Sequence, residues 1–144
     1  MSPRIAVVGC GQWGQNHIRT LDEIGALAAV ADRNPDRAAA FSEQYGVPAL
    51  APEAAIASPD IDALVLALPA SVHGVTARAA FAAGKDVLVE KPIALDPADA
   101  ERTAAAAREA GRLLMVGHVL RFNPVFRALC DEVAAGRIGT LRHM

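Results

Sequence analysis

Aromatic side chains are scarce in this 144-residue chain, at 4%, against a hydrophobic fraction of 53% drawn mostly from Ala, Val and Leu. Small aliphatic residues suit helices packed closely on a sheet, and so high an apolar fraction excludes an intrinsically disordered chain. Cysteine is scarce too. Cys10 and Cys130 lie far apart without metal-type spacing, which excludes a disulfide scaffold, offers no metal site, and leads us to expect two reduced thiols in a cytoplasmic protein. No excess of positive charge exists: 14 Lys and Arg against 16 Asp and Glu leave a formal net charge of -2. That supplies no field for a nucleic-acid backbone or an acidic membrane, so neither is expected as a partner. No apolar run approaches the ~20 residues that cross a bilayer, and Met1-Ser2-Pro3-Arg4 runs straight into a strand pattern, leaving no room for a signal peptide. With no solenoid-type repeat, low-complexity linker or charge block, the length accommodates one domain with a real core. We expect it over residues 1–137, with 138–144 beginning a connection to something further.

What the sequence does contain is an alternation of apolar runs and helical patterns. Ile5 to Val8 reads as a buried strand, followed from Gly14 by a helix with Ile18, Leu21 and Ile24 on one face and Gly25 near its end. Leu27 to Ala31 is a second strand. Asn34-Pro35 then supplies an N-cap and first-turn proline for a helix reaching Tyr45 and stopping at Gly46. Val47 to Leu50 is a brief third strand, Pro52 opens a short helix, and Ala63 to Leu68 is the clearest buried strand, ended by Pro69. A helix from about Val72 to Ala83 leads to the strand Val87 to Val89. Asp96-Pro97 opens an Ala-rich helix that closes at Gly111, Leu113 to Val116 is a sixth strand, and Asn123-Pro124 starts a helix running to Ala135. Strands alternating with helices imply parallel pairing and right-handed crossovers, hence an α/β doubly wound parallel sheet of the Rossmann type, in three layers.

Gly9-Cys10-Gly11-Gln12-Trp13-Gly14 matches G-x-G-x-x-G, between a strand and a helix as the mechanism requires. Gly9 permits the tight turn, Gly11 lets the backbone approach a pyrophosphate, and Gly14 allows the helix to pack on the strand. Free N–H groups at that helix start face the anion. Gln12 and Trp13 contribute mainly their backbone N–H groups, and the Trp13 ring is positioned to cover one side of a cofactor. Asp32 ends the second strand near the spacing at which a carboxylate accepts hydrogen bonds from the adenosine ribose, which favours NAD. A 2'-phosphate ~4 Å from that carboxylate meets a repulsion of roughly a few kcal/mol, about a hundredfold in affinity. Arg33 acts the other way, since a guanidinium there stacks on adenine or pairs with a 2'-phosphate, so NADP stays possible. Asp32 as a cap of the next turn is the competing reading.

In a parallel sheet the turns that follow strands emerge on one edge, and ligands bind outside it. Four such turns are expected to converge: the glycine loop, Leu68-Pro69-Ala70, Glu90-Lys91-Pro92 and Gly117-His118. Lys91 therefore belongs on the cofactor side. To take a proton from an alcohol it must be desolvated or face the positive ring of an oxidised nicotinamide. A solvated loop lysine or a phosphate-binding charge is the alternative that position alone leaves open.

The combination Val7-Val8-Gly9-Cys10-Gly11, Asp32, Leu68-Pro69 with His73, the segment Ala82-Ala83-Gly84-Lys85-Asp86-Val87-Leu88-Val89-Glu90-Lys91-Pro92, and Gly117-His118 with Arg121-Phe122 resembles the glucose-fructose oxidoreductase, inositol dehydrogenase and MocA family over nearly the whole chain. The Glu-Lys-Pro segment with its upstream Ala-Gly pattern is far more specific than the glycine loop. The resemblance implies a Rossmann domain followed by a larger α/β domain that binds substrate and often builds a homo-oligomer. It implies hydride transfer between NAD or NADP and a carbon of a sugar, cyclitol or nucleotide-sugar, with Lys91 assisting proton transfer. It also implies that Glu90 and His73 lie near the nicotinamide ribose, that Lys91-Pro92 is a cis peptide, and that His118, Arg121 and Asn123 border the nicotinamide or substrate. His118 as a satisfied loop histidine and Asn123 as a helix cap remain equally open. The family carries a further Asp and His pair in its second domain. This chain ends before such a pair and His143 follows no such pattern, so the expectation is cofactor binding without turnover. A non-catalytic nucleotide sensor explains the missing domain but gives no reason for Glu90-Lys91-Pro92, and a methyltransferase explains less still.

Overall fold

The computed structural model describes residues 2–142; residues 143 and 144, His143 among them, lie outside that description. In chain order the elements are β1 (Ile5–Val8), α1 (Gly14–Glu23), β2 (Leu27–Ala31), α2 (Pro35–Tyr45), β3 (Ala49–Leu50), α3 (Pro52–Ala57) and β4 (Ala63–Leu66). They continue as α4 (Ala70–Ala82), β5 (Asp86–Val89), α5 (Pro97–Glu109), β6 (Leu114–Val116), a 3-10 turn over Val119–Phe122, and α6 (Pro124–Ala134). The six strands form one sheet in the order β3-β2-β1-β4-β5-β6, and every pair is parallel. The direction of winding reverses between β1 and β4, which opens a crevice at their carboxyl ends.

Alternate residues of each strand serve opposite layers. Ala6, Val8, Leu64, Leu66, Val87 and Val89 pack with Ala77, Ala80 and Phe81 of α4 on one face. Val7, Val30 and Val65 pack with Ile18 and Leu21 of α1 on the other. The small side chains of α4 let it lie close to the sheet, which is where the alanine-rich composition is used. All three Asn/Asp-Pro signals are realised: Asn34 accepts from the Asp36 and Arg37 N–H groups, Asp96 from Ala98, and Asn123 from Val125 and Phe126.

Several boundaries differ from the sequence expectation for local reasons. β3 begins at Ala49 rather than Val47, because Pro48 has no N–H to continue the ladder, although its carbonyl still accepts from Val30 N–H at 3.0 Å. β4 stops at Leu66, two residues short of Leu68, since Leu68 turns its carbonyl away to the His73 ring. α4 begins at Ala70, directly after Pro69, rather than at Val72. Ile24, expected on the buried face of the first helix, caps its carboxyl end and is 64% exposed.

The segment that carries the family resemblance is divided by the sheet. Its first half sits at the edge opposite the crevice and serves the fold. Gly84 takes φ +75° just past α4, the Asp86 carboxylate accepts the Leu113 N–H at 2.9 Å, and buried Lys85 donates from Nζ to the carbonyls of Ser58 at 2.6 Å and Ile61 at 2.7 Å. At the far side of the sheet, β6, the 3-10 turn and α6 leave Leu113, Val119, Leu120, Phe122 and Val125 exposed, and no residue of α6 is buried. Among the described residues no helix is long and apolar enough to cross a membrane.

Lys85→Met keeps the aliphatic stem but leaves the buried Ile61 carbonyl without its Lys85 donor and removes the stronger of two donors to the part-buried Ser58 carbonyl. We expect it to lower unfolding stability by about 1–3 kcal/mol, read from urea denaturation, with no change in ligand binding at the opposite edge.

Candidate cofactor site

Three of the four turns expected to converge build one continuous depression at the carboxyl ends of β1, β4 and β5. Gly9 holds φ +100°, and a Cβ there would overlap the carbonyl oxygen of Ala67. A Cβ on Gly14 would overlap the carbonyl oxygen of Gly9. These two glycines are required by the fold itself. Gly11 differs: a Cβ on it would meet nothing within 4 Å, and its φ is an ordinary one. Its bare backbone faces open space, which is the arrangement a close-approaching ligand needs.

A cleft of ≈ 630 Å³ runs beside this loop, lined by Gly9, Gly11, Asp32, Arg33, Leu68 and Pro69 and closed by side chains of α3 and α4. A smaller cavity of ≈ 170 Å³ lies on the other side of Gly11, lined by Gln12, Trp13, Leu68, Glu90 and Lys91. Gly11 and Leu68 belong to both, so the two form a bipartite groove across the start of α1. Its outline fits an extended dinucleotide: a larger compartment beside the β2 carboxylate, a middle where amides are bare, and a smaller compartment against a tryptophan and a lysine.

Asp32 is mostly buried and already engaged. Its Oδ2 accepts the Cys10 N–H at 2.8 Å and its Oδ1 accepts the Asn34 N–H at 2.8 Å. The loop is therefore held to the end of β2 by the residue expected to read the ribose, and the turn-capping role is realised as well. Arg37, in the first turn of α2 and not singled out by the sequence, approaches the same carboxylate at 3.4 Å. With Arg33 it lines the larger cleft, so two guanidiniums flank the acidic residue. Cys10 is buried beneath the loop. Burial, reinforced by the Asp32 carboxylate, pushes its thiol from 9.0 up to about 11.

At the smaller compartment the Lys91 Nζ lies 5.7 Å from the centroid of the Trp13 ring. Glu90 is buried; its Oε1 meets Nε2 of His17 at 2.8 Å and its Oε2 accepts the Lys91 N–H at 3.2 Å. His17 was missed by sequence reading, although it stands four residues after Trp13 and so on the same face of α1. The Lys91-Pro92 bond is cis. His73 is 1% exposed, with Nδ1 2.8 Å from the Pro92 carbonyl and Nε2 2.7 Å from the Leu68 carbonyl. It bridges two turns behind the groove. The fourth turn contributes through Gly117, where a Cβ would stand 3.2 Å from the Glu90 carboxylate. His118 stands at the N-cap position of the 3-10 turn without a side-chain hydrogen bond to it, and Arg121 lines a separate cavity beside α6 with Phe122 and Phe126. Neither lines the bipartite groove. Among the described residues no cluster of His, Cys, Asp or Glu is arranged for a metal.

Sheet order, glycine loop and groove together define a Rossmann domain of the dinucleotide-binding class. The chain belongs to the Gfo/Idh/MocA family: the model of the oxidoreductase family with an NAD-binding Rossmann fold matches residues 3–118. Inositol 2-dehydrogenase 3 of Saccharopolyspora erythraea is 37% identical over 145 residues, covering 97% of this chain and 43% of that protein. A 4-carboxy-2-hydroxymuconate-6-semialdehyde dehydrogenase of Sphingobium is 34% identical over 139 residues, 94% of this chain and 44% of the relative. The crystal structure of KijD10, a 3-ketoreductase from Actinomadura kijaniata in complex with NADP, superposes with TM-score 0.90 at 34% identity, covering 99% of this chain and 47% of that one. The chain thus spans less than half the length of these relatives.

Two outcomes follow from the loop. Gly11→Ala is expected to keep the wild-type melting temperature and lose dinucleotide affinity by at least about tenfold, whereas Gly14→Ala loses stability first; calorimetric titration beside thermal melts separates them. Of the free cysteines, Cys130 is exposed and Cys10 buried, so a thiol reagent near neutral pH should label Cys130 alone until the chain unfolds. The neutral Cys10 thiol stabilises fully below pH 9.0, and that contribution falls as pH rises toward about 11. A Cys10→Ala chain should lack this component of alkaline destabilisation.

Proposed function

We propose that this chain is the cofactor-binding part of a dehydrogenase or reductase that moves a hydride between NAD or NADP and a carbinol or carbonyl carbon of a sugar, cyclitol or nucleotide-sugar. The observation that carries this reading is the placement of the Lys91 amine against Trp13, in a compartment that shares Gly11 with the larger cleft. The residues present fit the cofactor: bare amides at the start of α1 for a pyrophosphate, Asp32 for the adenosine ribose, and the Trp13 face for the nicotinamide end. A bound nicotinamide supplies the hydride acceptor or donor. Lys91 takes the proton from a substrate hydroxyl or returns it, and Trp13 and Leu68 shield that exchange from water. Glu90 holds the backbone N–H of Lys91, and His118 and Arg121 border the substrate side once the rest of the protein is present.

On this reading the domain occupies residues 1–137, and 138–144 lead into a substrate-binding part. The exposed apolar strip along β6, the 3-10 turn and α6 is the face against which that part packs. Residues that read the substrate belong to it, so the 144 residues bind cofactor without turning over, and the full-length protein is a homo-oligomer. The free thiols suit the cytoplasm, and no nucleic acid or membrane is a partner. We propose NAD as the preferred cofactor because Asp32 faces the adenosine compartment. Arg33 and Arg37 offset part of its charge, so the discrimination against NADP is smaller than the ~100-fold expected from a bare carboxylate.

Trp13 is the single tryptophan of the chain, so its fluorescence reports occupation of the smaller compartment. NADH should quench it saturably, NAD should bind more tightly than NADP by less than about 100-fold, and ATP should bind more weakly than either. Tighter binding of ATP than of NADH would replace the dehydrogenase reading by a nucleotide sensor, and tighter NADP would reverse the cofactor preference alone. Substrate-dependent NADH formation by the 144 residues, lost in Lys91→Ala, would show that the fragment is catalytic after all. In the full-length enzyme Lys91→Ala should lower kcat by about 10²–10⁴ with little change in cofactor affinity.

A further inference from the structure

The Glu90 carboxylate is buried at the end of β5, and its contacts come from three directions. His17 reaches it from α1 at 2.8 Å, the Lys91 N–H lies on its other oxygen at 3.2 Å, and Gly117 lies against its flat side, where a Cβ would stand in tight contact at 3.2 Å. A buried carboxylate needs such partners, because loss of one leaves a desolvated charge that must move to find water. His17 is its only side-chain hydrogen-bond partner among the described residues. The same helix face carries Trp13, one turn earlier, under the Lys91 amine. One face of α1 therefore touches both members of the Glu90-Lys91 pair, Trp13 the lysine and His17 the glutamate. The first turn of α1 is also where the bare amides of the glycine loop lie.

We propose that His17 is a positioning residue for Lys91. By holding the Glu90 carboxylate toward α1 it fixes the Lys91 N–H, and through it the course of the lysine side chain across Trp13. The nucleotide loop and the lysine then move as one body, because both are anchored to the first two turns of α1. A shift of that helix start on pyrophosphate binding is transmitted to the amine, and the coupling is reciprocal. The use of Lys91 for proton transfer rests on the function proposed above, whereas the clamp itself is a property of the free chain.

The chain contains two lysines, Lys85 and Lys91, which makes the test direct. In a sample labelled with carbon-13 lysine, the Lys91 ε-methylene should lie upfield through the ring current of Trp13, assigned by its disappearance in Lys91→Arg and by its downfield return in Trp13→Leu. Buried Lys85, on the opposite sheet edge, serves as the folding reference. His17→Phe keeps the ring volume without the nitrogen, and the expected result is a downfield move of the Lys91 signal with Lys85 unmoved. His17→Gln carries Nε2 at a similar reach, and should restore the wild-type Lys91 position. An unmoved Lys91 signal in folded His17→Phe overturns the proposal, and so does a Gln variant whose Lys91 signal is displaced while Lys85 stays in place. Because the spectra need no cofactor, failure of the chain to bind NADH would sink the function proposed above and leave this result readable.

Discussion

Two backbone approaches at the centre of the sheet set the terms for everything at its carboxyl edge. The Gly9 carbonyl lies where a side chain on Gly14 would stand, and the Ala67 carbonyl lies where one on Gly9 would stand. These contacts bring the end of β1, the start of α1 and the turn after β4 together without intervening side chains. The crevice between β1 and β4 is as narrow as it is because backbone, and not side chains, forms its floor. From that floor α1 projects in a fixed direction, its first amides bare and its Trp13-His17 face turned to the end of β5. The Asp32 carboxylate ties the loop to β2 through the Cys10 N–H, so the loop is held on both sides.

The smaller compartment of the groove depends on how a buried carboxyl group is accommodated. Glu90 is kept in the interior by partners from α1 and from its own following amide, and its flat side rests on a glycine past β6. His73, deeper still, joins the turn after β4 to the turn after β5 through two carbonyls. Glu90 holds the Lys91 N–H and His17, His73 holds the turn through Pro92, and the exposed Lys91 side chain projects from the segment between them. Such over-determined support is what a residue needs if its amine is to meet a substrate atom reproducibly.

The relatives bear on breadth of substrate more than on identity. One is an inositol dehydrogenase and another a dehydrogenase of a muconate semialdehyde, so the same cofactor domain accompanies different carbon skeletons. That is physically reasonable, because the groove at the carboxyl ends of β1, β4 and β5 is lined by the glycine loop, Asp32, Trp13 and the Glu90-Lys91 turn, the parts a cofactor domain shares whatever its substrate. Arg37 and Arg33 stand on the same side of the groove as Asp32, and a carboxylate at the end of β2 does not by itself decide between two dinucleotides when guanidiniums stand beside it.

The alternation of apolar runs with capped helices was enough to specify the element order, the parallel sheet and the edge at which the site lies, because period, proline and glycine act through neighbours a few residues away. The glycine loop, Asp32 and Glu90-Lys91 were legible for the same reason: each occupies a turn directly after a strand, and strand direction fixes where such turns emerge. Partners chosen across the fold were not legible. That His17 would meet Glu90, that Arg37 would join Asp32, that Lys85 would serve the far edge, and that His73 would bridge two turns from behind depend on distances between elements separated by tens of residues. Those distances are set by how α1 and α4 pack on the sheet. Sequence by itself determined which residues could carry the chemistry, and tertiary structure decided which of them are held in place, by whom, and which face was left uncovered.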